Sequence, residues 1–259
     1  DGEIDGISGT FVFDTGAPGL VLNATYFRDG KKTYDATGSG ITGQGIMRQT
    51  KRISTFTFAG ITYNKLTADV IDLGHIENSK GIKILGLIGT KFFRSFEVII
   101  DIRNSSMRLF KVDKHGNRLN NSEDSTKYNI VQKISIINNA IITNLPVGGK
   151  NVCFCIDTGA EQNVIDHSNP NQVLETISIT RRTHLVGASS ERLEILYGIM
   201  RGFSIDKHKF AEMPVVIADL GSLRAGFGVN IRGMLGFSFL EQGIVCLNFN
   251  KEILSMALN

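Results

Sequence analysis

The sequence has few cysteines, little excess charge and no long apolar run. Its 259 residues include three cysteines, and the formal net charge is +3. A helix that spans a bilayer needs roughly 20 consecutive apolar residues, and no stretch of this sequence approaches that length. A charge this small does not indicate binding to nucleic acid or to an anionic membrane. We therefore expect a globular protein with no nucleic-acid partner and no membrane span in this chain.

The cysteines and histidines lack the spacing of metal ligands. Cys153 and Cys155 are separated by a single residue and Cys246 is distant, which does not match the Cys-x-x-Cys spacing of zinc sites. An odd number of cysteines leaves at least one thiol unpaired within the chain. The five histidines are scattered along the sequence. We expect free, buried or half-buried thiols, no metal and no organic cofactor.

The chain repeats one series of landmarks in the same order. The tetrapeptide Asp-Thr-Gly-Ala begins at Asp14 and again at Asp157. An apolar-apolar-Gly motif ends at Gly89 and again at Gly236. In the same register as these two glycines, Val70–Leu73 resembles Ile217–Leu220 and Val98–Asp101 resembles Val245–Asn248. The matches predict that a whole domain was duplicated.

Composition marks the joint between the two copies. From Lys111 to Asn129 the chain is polar, rich in asparagine and charged residues, and without a periodic apolar pattern. Such a stretch is typical of a surface connection. We predict an N-terminal lobe at residues 1–112, a linker at 113–125 and a C-terminal lobe at 126–259.

Strand-like segments dominate both lobes, so the expected fold class is all-β. β-Branched and aromatic residues with partial alternation favour strands at Arg52–Ile61 and Glu194–Ile205. The pair Asn138-Asn139 favours a turn between two short strands. One short helix is predicted in each lobe, at Thr90–Phe96 and at Phe237–Gln242.

Each repeated aspartate follows an apolar, strand-like segment, where a charged group is unusual because its burial is costly. Packing of two related copies would bring Asp14 and Asp157 together. Two carboxyl groups in contact share a proton, and their apparent pKa values separate. One group can then act as a base and the other as an acid. This predicts hydrolysis of an amide by an activated water, without a covalent intermediate.

The residues after each aspartate suit the same chemistry. Gly16 and Gly159 permit a tight turn that brings backbone N–H groups near the carboxylates. Thr15 and Thr158 carry hydroxyl groups that can hydrogen-bond across the interface of the lobes and fix the separation of the pair.

These motifs, with a glycine-bearing hairpin between them, resemble the retropepsin-like aspartic peptidases, twice and over essentially the whole chain. The resemblance implies an acid-protease fold with two retropepsin-like β-barrel lobes related by pseudo-twofold symmetry. It identifies Asp14 and Asp157 as a catalytic pair in one chain, as in pepsin-like enzymes. It implies an endopeptidase that acts as a monomer on a peptide or protein substrate. The implied flaps over that substrate contain Gly43, Gln44 and Gly45 in the first lobe and Gly187, Ala188 and Ser189 in the second.

The sequence departs from the pepsin pattern in three ways. It has no tryptophan, both lobes keep similar flap-like segments, and Ala17 and Ala160 stand where pepsins usually carry Ser or Thr. A hydroxyl group at these positions would donate to the charged carboxylate and lower its pKa. We therefore expect an activity optimum nearer mildly acidic to neutral pH than that of pepsin.

Other interpretations compete with parts of this one. The same fold can serve a catalytically inactive protein that binds peptides or acts as a scaffold. The motif Gly-x-Gly-x-x-Gly at 38–43 occurs in dinucleotide sites, but there it lies between a strand and a helix, and the residues that follow here favour a hairpin. The first copy starts only a short way before Asp14, so either the N-terminus was trimmed or the first lobe lacks an outer hairpin. Because an abrupt start suggests processing, we expect an extracytoplasmic, bacterial location.

Overall fold

The structure is a computed structural model that describes residues 1–17, 19–35, 46–120, 124–186, 192–210 and 212–258. Strands make up most of the regular structure in these residues, and the helices are short. The predicted all-β fold class is therefore confirmed. The chain divides into two compact units, Asp1–Phe92 and Phe93–Asn259.

The described part of the first unit forms a sheet of eight strands. Its strands are β1 (Gly2–Ile4), β2 (Ile7–Gly9), β3 (Phe11–Phe13), β4 (Leu20–Asn23), β5 (Lys31–Asp35), β6 (Ile46–Phe58), β7 (Ile61–Ile71) and β8 (Gly86–Ile88), with helix α1 (Gly74–Lys80) before β8. The strand order is β2-β1-β6-β7-β4-β8-β3, with β5 on β6. A 3₁₀ turn at Thr90–Phe93 follows β8.

The second unit contains three sheets in its described residues. Its strands are β9 (Phe96–Asp101), β10 (Ser106–Lys111), β11 (Ile130–Lys133), β12 (Ser135–Ile137), β13 (Ala140–Val147), β14 (Lys150–Ile156), β15 (Asn163–Asp166), β16 (Ile177–Val186), β17 (Arg192–Met200), β18 (Ser204–Ile205), β19 (His208–Lys209), β20 (Met213–Ala218), β21 (Gly233–Leu235), β22 (Gly243–Asn248) and β23 (Ile253–Leu258). Its helices are α2 (Asn171–Leu174), α3 (Gly221–Phe227) and α4 (Phe237–Leu240).

The two units share one strand topology around the repeated aspartates. The first unit has the order β3-β8-β4-β7-β6-β5, and the second has β14-β21-β15-β20-β17-β16. The same neighbours are parallel in both, namely β3 with β8 and β4 with β7, and β14 with β21 and β15 with β20. This agreement, pair by pair, supports the predicted duplication.

A five-stranded sheet in the second unit has a local twofold symmetry. Its order is β10-β9-β22-β23-β11, and β9 and β22 occupy equivalent positions in the sequence repeat. Ile99 pairs with Cys246, its own equivalent in the repeat, and Val98 pairs with Leu247 as Ile100 pairs with Val245. Because a residue that pairs with its own equivalent lies on the symmetry axis, that axis passes through the Ile99–Cys246 pair.

Strands β9 and β10 lie in the second compact unit, although the sequence repeat places residues 1–112 in the first lobe. The reason is that β10 pairs with β9, and β9 pairs with β22. Compact units reflect contacts, whereas the predicted lobes reflect the repeat. The lobes at 1–112 and 126–259 and the linker at 113–125 stay a prediction.

Charged and polar groups fasten the connection between the copies to the five-stranded sheet. Arg118 Nε donates to Glu97 Oε1 (2.7 Å) on β9. The buried carboxylate of Asp124 accepts from the Tyr128 hydroxyl (2.6 Å) and from Arg108 (3.2 Å) on β10. The burial of Asp124 favours its neutral form, but hydrogen bonds from Tyr128 and Thr126 outweigh this effect and hold its pKa below the usual range.

Aromatic rings fill the core of each unit. In the first, Phe56 lies 5.3 to 6.3 Å, between ring centroids, from four other rings, those of Phe11, Phe58, Tyr63 and Phe92. In the second, Phe203 lies 5.2 to 6.3 Å from Phe154, Phe210 and Phe239. Burial of such side chains is a main source of stability in a fold of short strands.

The three cysteines are free thiols. Cys155 is buried and Cys153 half-buried, and both pack into one apolar cluster, as expected for alternate positions on β14. Cys246 is buried on β22, and its burial, with the nearby charge of Glu97, raises the pKa of its thiol to about 12. The interpretation of these cysteines as unpaired, buried or half-buried thiols is confirmed.

Candidate active site

Asp14 stands directly after β3, at the point where this strand leaves the sheet. The register of β3 on β8 ends with Phe13 opposite Ile88. The Asp14 N–H then donates to the Ile88 carbonyl (3.1 Å), so the main chain of the aspartate is still held by the sheet. The side chain is half-buried.

A tight turn fixes the carboxylate of Asp14. The N–H of Gly16 donates to Asp14 Oδ1 (2.8 Å), and the N–H of Ala17 donates to the same oxygen (3.2 Å). The Ala17 N–H also lies 3.2 Å from the Asp14 carbonyl oxygen. Two backbone donors therefore hold one oxygen of the carboxylate, as the sequence predicted for Gly16.

Asp157 repeats this geometry in the second unit. Its N–H donates to the Leu235 carbonyl on β21 (2.9 Å), and the Ala160 N–H donates to its carbonyl (3.3 Å). The Gly159 N–H donates to Asp157 Oδ1 (2.8 Å). The side chain is again half-buried. Each contact has its counterpart at Asp14, so the two carboxylates are presented in the same way by equivalent strands.

The glycine of each apolar-apolar-Gly motif lies against the turn that carries the aspartate. A Cβ atom on Gly89 would lie 2.1 Å from the carbonyl oxygen of Ala17, and one on Gly236 would lie 2.5 Å from that of Ala160. Contacts this short with backbone atoms leave no space for a side chain. The close approach explains why both motifs end in glycine.

The two threonines differ in their surroundings. Thr15 is fully buried, and its carbonyl accepts a hydrogen bond from the Thr90 hydroxyl (3.3 Å). Thr158 is half-buried. The predicted hydrogen bonds of Thr15 and Thr158 across the lobes stay a prediction.

The strand that follows each aspartate turn ends in a polar residue, Asn23 on β4 and Asp166 on β15. Both are fully buried. The side chain of Asn23 donates to the Ile84 carbonyl (3.1 Å). Asp166 accepts from the Leu220 N–H (2.8 Å) and pairs with Arg224. The second copy thus uses a charged pair where the first uses an amide.

Asn163 is a further buried polar residue that sequence reasoning missed. It begins β15, and its side chain accepts from the Gly236 N–H (2.9 Å) and donates to the Pro214 carbonyl (3.0 Å). When the copies are aligned on their aspartates, its equivalent in the first copy is Leu20. A comparison of the copies favours residues that recur, so a polar residue present in only one copy gave no signal.

The predicted flap residues Gly43, Gln44 and Gly45, and Gly187, Ala188 and Ser189, lie outside the described residues. Strands that lead toward them are described, namely β5 and β6 in the first unit and β16 and β17 in the second. In both units these are antiparallel hairpin strands, so the glycine motif at 38–43 is followed by a strand rather than by the helix that a dinucleotide site requires.

In the described part of the chain, no cluster of three or more His, Cys, Asp or Glu side chains has the arrangement of a metal site. None of the described helices is long and apolar enough to cross a membrane. The chemistry available at Asp14 and Asp157 is that of two oriented carboxyl groups, which can accept and donate protons.

A family model described as aspartyl protease matches residues 1–92 and 143–239, well over half of the chain. Each matched segment contains one Asp-Thr-Gly-Ala turn and its apolar-apolar-Gly motif. None of the curated proteins compared with the chain matches it. Among solved structures, basic 7S globulin from soybean is similar at 9% identity and a TM-score of 0.46, covering 95% of this chain and 87% of the globulin.

Proposed function

This chain belongs to the aspartyl protease family, and we propose that it is an aspartic endopeptidase that uses Asp14 and Asp157 as its catalytic pair. The observation that carries the proposal is the matched geometry of the two turns. In each, a strand-bound aspartate has one carboxylate oxygen held by a glycine N–H at 2.8 Å. Each of the two segments that the aspartyl protease model matches contains one of these turns.

The proposed reaction is a direct hydrolysis. One carboxylate of the pair takes a proton from a water molecule, and the water oxygen attacks the carbon of the peptide carbonyl. The other carboxyl group gives its proton to the carbonyl oxygen, which forms a tetrahedral diol. The first group then gives its proton to the amide nitrogen while the second takes one from a diol hydroxyl, and the C–N bond breaks to release a carboxylic acid and an amine. The substrate is a peptide or protein bound in an extended form, with the predicted flaps contacting its backbone.

Replacement of either aspartate tests this proposal. We expect Asp14→Asn and Asp157→Asn each to lower kcat by about 10²- to 10⁴-fold, because proton transfer by a positioned group contributes a factor of that size. Cleavage of a peptide library would be followed by mass spectrometry between pH 3 and pH 8.

Asp72→Asn is the matched control. Asp72 is also an aspartate that accepts from a nearby glycine N–H, that of Gly74 (2.8 Å), but it is exposed. Cleavage at the wild-type rate by either active-site variant would contradict the assignment of the pair. A wild-type chain that binds peptides without cleaving any of them would favour the alternative, an inactive peptide-binding or scaffolding protein.

A further inference from the structure

Asn163 is buried beside the turn that carries Asp157, with only 1% of its surface exposed. Both the oxygen and the nitrogen of its side-chain amide form hydrogen bonds. Oδ1 accepts from the N–H of Gly236 (2.9 Å), and Nδ2 donates to the carbonyl of Pro214 on β20 (3.0 Å). The side chain therefore connects β20 to the residue that follows β21.

Gly236 is directly joined to the groups that hold Asp157. The preceding residue, Leu235, accepts the Asp157 N–H at its carbonyl (2.9 Å), and the following residue, Phe237, donates its N–H to the Ala160 carbonyl (2.8 Å). The space at Gly236 is also filled by the Ala160 carbonyl. A shift of the Gly236 amide would therefore be passed to both sides of the Asp157 turn.

In the first copy, the N–H of the equivalent glycine donates to a backbone carbonyl and not to a side chain. There the Gly89 N–H donates to the carbonyl of Gly19 (2.8 Å), and the position equivalent to Asn163 is the buried Leu20. The geometry of the Asp14 turn thus rests on the backbone alone at this point, whereas that of the Asp157 turn depends on one amide side chain.

We propose that Asn163 is a positioning residue for Asp157. Loss of its side-chain amide would then disturb Asp157, whereas Asp14 depends on no such side chain. The inference rests on the proposed function. Removal of the amide leaves the buried N–H of Gly236 and the carbonyl of Pro214 without their partner, and the backbone must move to satisfy them. Proton transfer depends steeply on the placement of the reacting groups, so the loss falls on kcat rather than on substrate binding.

Asn163→Leu, which installs the residue of the first copy, is the first test. We expect kcat to fall about 10- to 100-fold with KM within about 3-fold of the wild-type value, since small misplacements of a reacting group cost this much. Asn248→Leu is the control, because Asn248 on β22 is also buried and its amide bonds three groups, namely Glu97, the Gly116 carbonyl and the Lys251 N–H. It should lower the melting temperature and leave kcat within about 2-fold.

Asn163→Asp separates positioning from general damage. When protonated, the new carboxyl group can donate to Pro214 and accept from Gly236, as the amide does, and when charged it can only accept. The ratio of the variant's kcat to that of the wild type should therefore rise as the pH falls through the pKa of this group. A ratio that is independent of pH would contradict the proposal, as would equal losses of kcat in Asn163→Leu and Asn248→Leu.

A measurement without turnover keeps the two proposals distinct. In protein with ¹³C-labelled aspartate, the carboxyl signal of Asp157 should shift in Asn163→Leu and stay in place in Asn248→Leu. If the wild type cleaves no peptide but this shift occurs, the proposed function fails and the positioning role stands. If the wild type cleaves peptides and the Asp157 signal does not move, the positioning role fails alone.

Discussion

Asp166 carries a negative charge in the interior of the second unit, at the position where the first has the neutral Asn23. Burial opposes the charge, but hydrogen bonds from Ser168, Arg224 and the Leu220 N–H outweigh it and lower the pKa of Asp166 to about 2. The residue that pairs with this position also differs between the copies. When the copies are aligned on their apolar-apolar-Gly motifs, Glu77 of the first copy occupies the position of Arg224, the partner of Asp166. Each copy has therefore kept the location of a polar contact while its charges changed.

The lowered pKa of Asp166 predicts a dependence of stability on pH. Its pKa is below the ordinary value of 3.8 in the folded state, so its contribution is complete above about pH 4 and is lost as the pH falls toward 2. We expect Asp166→Asn to be less stable than the wild type by about 2 kcal/mol at pH 6, because a hydrogen bond to a charged group is lost. The difference should shrink toward pH 2 in urea unfolding.

Asp219→Asn is the control for this titration. Asp219 lies 3.6 Å from Arg224 but is more than half exposed, and surface pairs contribute little. If the free energies of unfolding of the wild type and Asp166→Asn differ by the same amount at pH 2 and pH 6, the charge of Asp166 does not stabilise the fold.

The alanine after each Asp-Thr-Gly offers a second test at the scale of single residues. Ala160 is half-buried next to the Asp157 turn, and a serine hydroxyl there can donate to the charged carboxylate. Since such a bond favours the ionised form, we expect Ala160→Ser to move the acidic limb of the pH–rate profile to lower pH by roughly one unit. The profile of kcat/KM between pH 2 and 8 measures this, with Ala257→Ser on β23 as the control. An unchanged limb, or a wild-type optimum below about pH 3, would contradict the role given to the alanines.

At the scale of elements, the sequence predicted a dominance of strands and one short helix in each lobe, but it missed the short helices α1, α2 and α3. The turn at Asn138-Asn139 is confirmed, with φ angles of 49° and 68° between the paired strands β12 and β13. Helices α1 and α3 were missed because each is only seven residues long and contains no fully buried residue, so the apolar pattern of each is short.

The two predicted helices exist in shorter form. Of Thr90–Phe96, only Thr90–Phe93 is helical, as a 3₁₀ turn, because Phe96 already begins β9. Of Phe237–Gln242, helix α4 covers Phe237–Leu240. In both cases the next strand starts soon after the turn, and its sheet pairing overrides the local helical preference.

The candidate site was predictable where the two copies agree. Asp14 and Asp157 were found because one motif occurs twice at matched positions. Asn163, Asp166 and Arg224 were not found, because the first copy has Leu20, Asn23 and Glu77 at these positions. Their contacts join residues that are far apart in the sequence, and such pairings become visible only when the strands are placed.

At the scale of the whole molecule, one chain of 28.4 kDa carries both halves of the proposed catalytic pair. We therefore expect the active species to be a monomer, with a specific activity that does not depend on protein concentration, because no association is needed to supply the second aspartate. Size-exclusion chromatography with light scattering, combined with assays over a wide range of dilution, measures both. Activity confined to a dimer peak, or lost on dilution, would contradict this expectation.

The pairing of β9 with β22 also bears on how the chain acquires its fold. Strand β9 ends at Asp101, and its partner β22 ends at Asn248. At a synthesis rate of about 5 to 20 residues per second, the partner emerges from the ribosome roughly 7 to 30 s later. During that interval one edge of the apolar strand β9 is not covered by β22, and uncovered strand edges can pair with other chains. The pairing of Ile99 with Cys246 therefore cannot form until the second copy has been synthesised, and until then the edge of β9 is open to other chains.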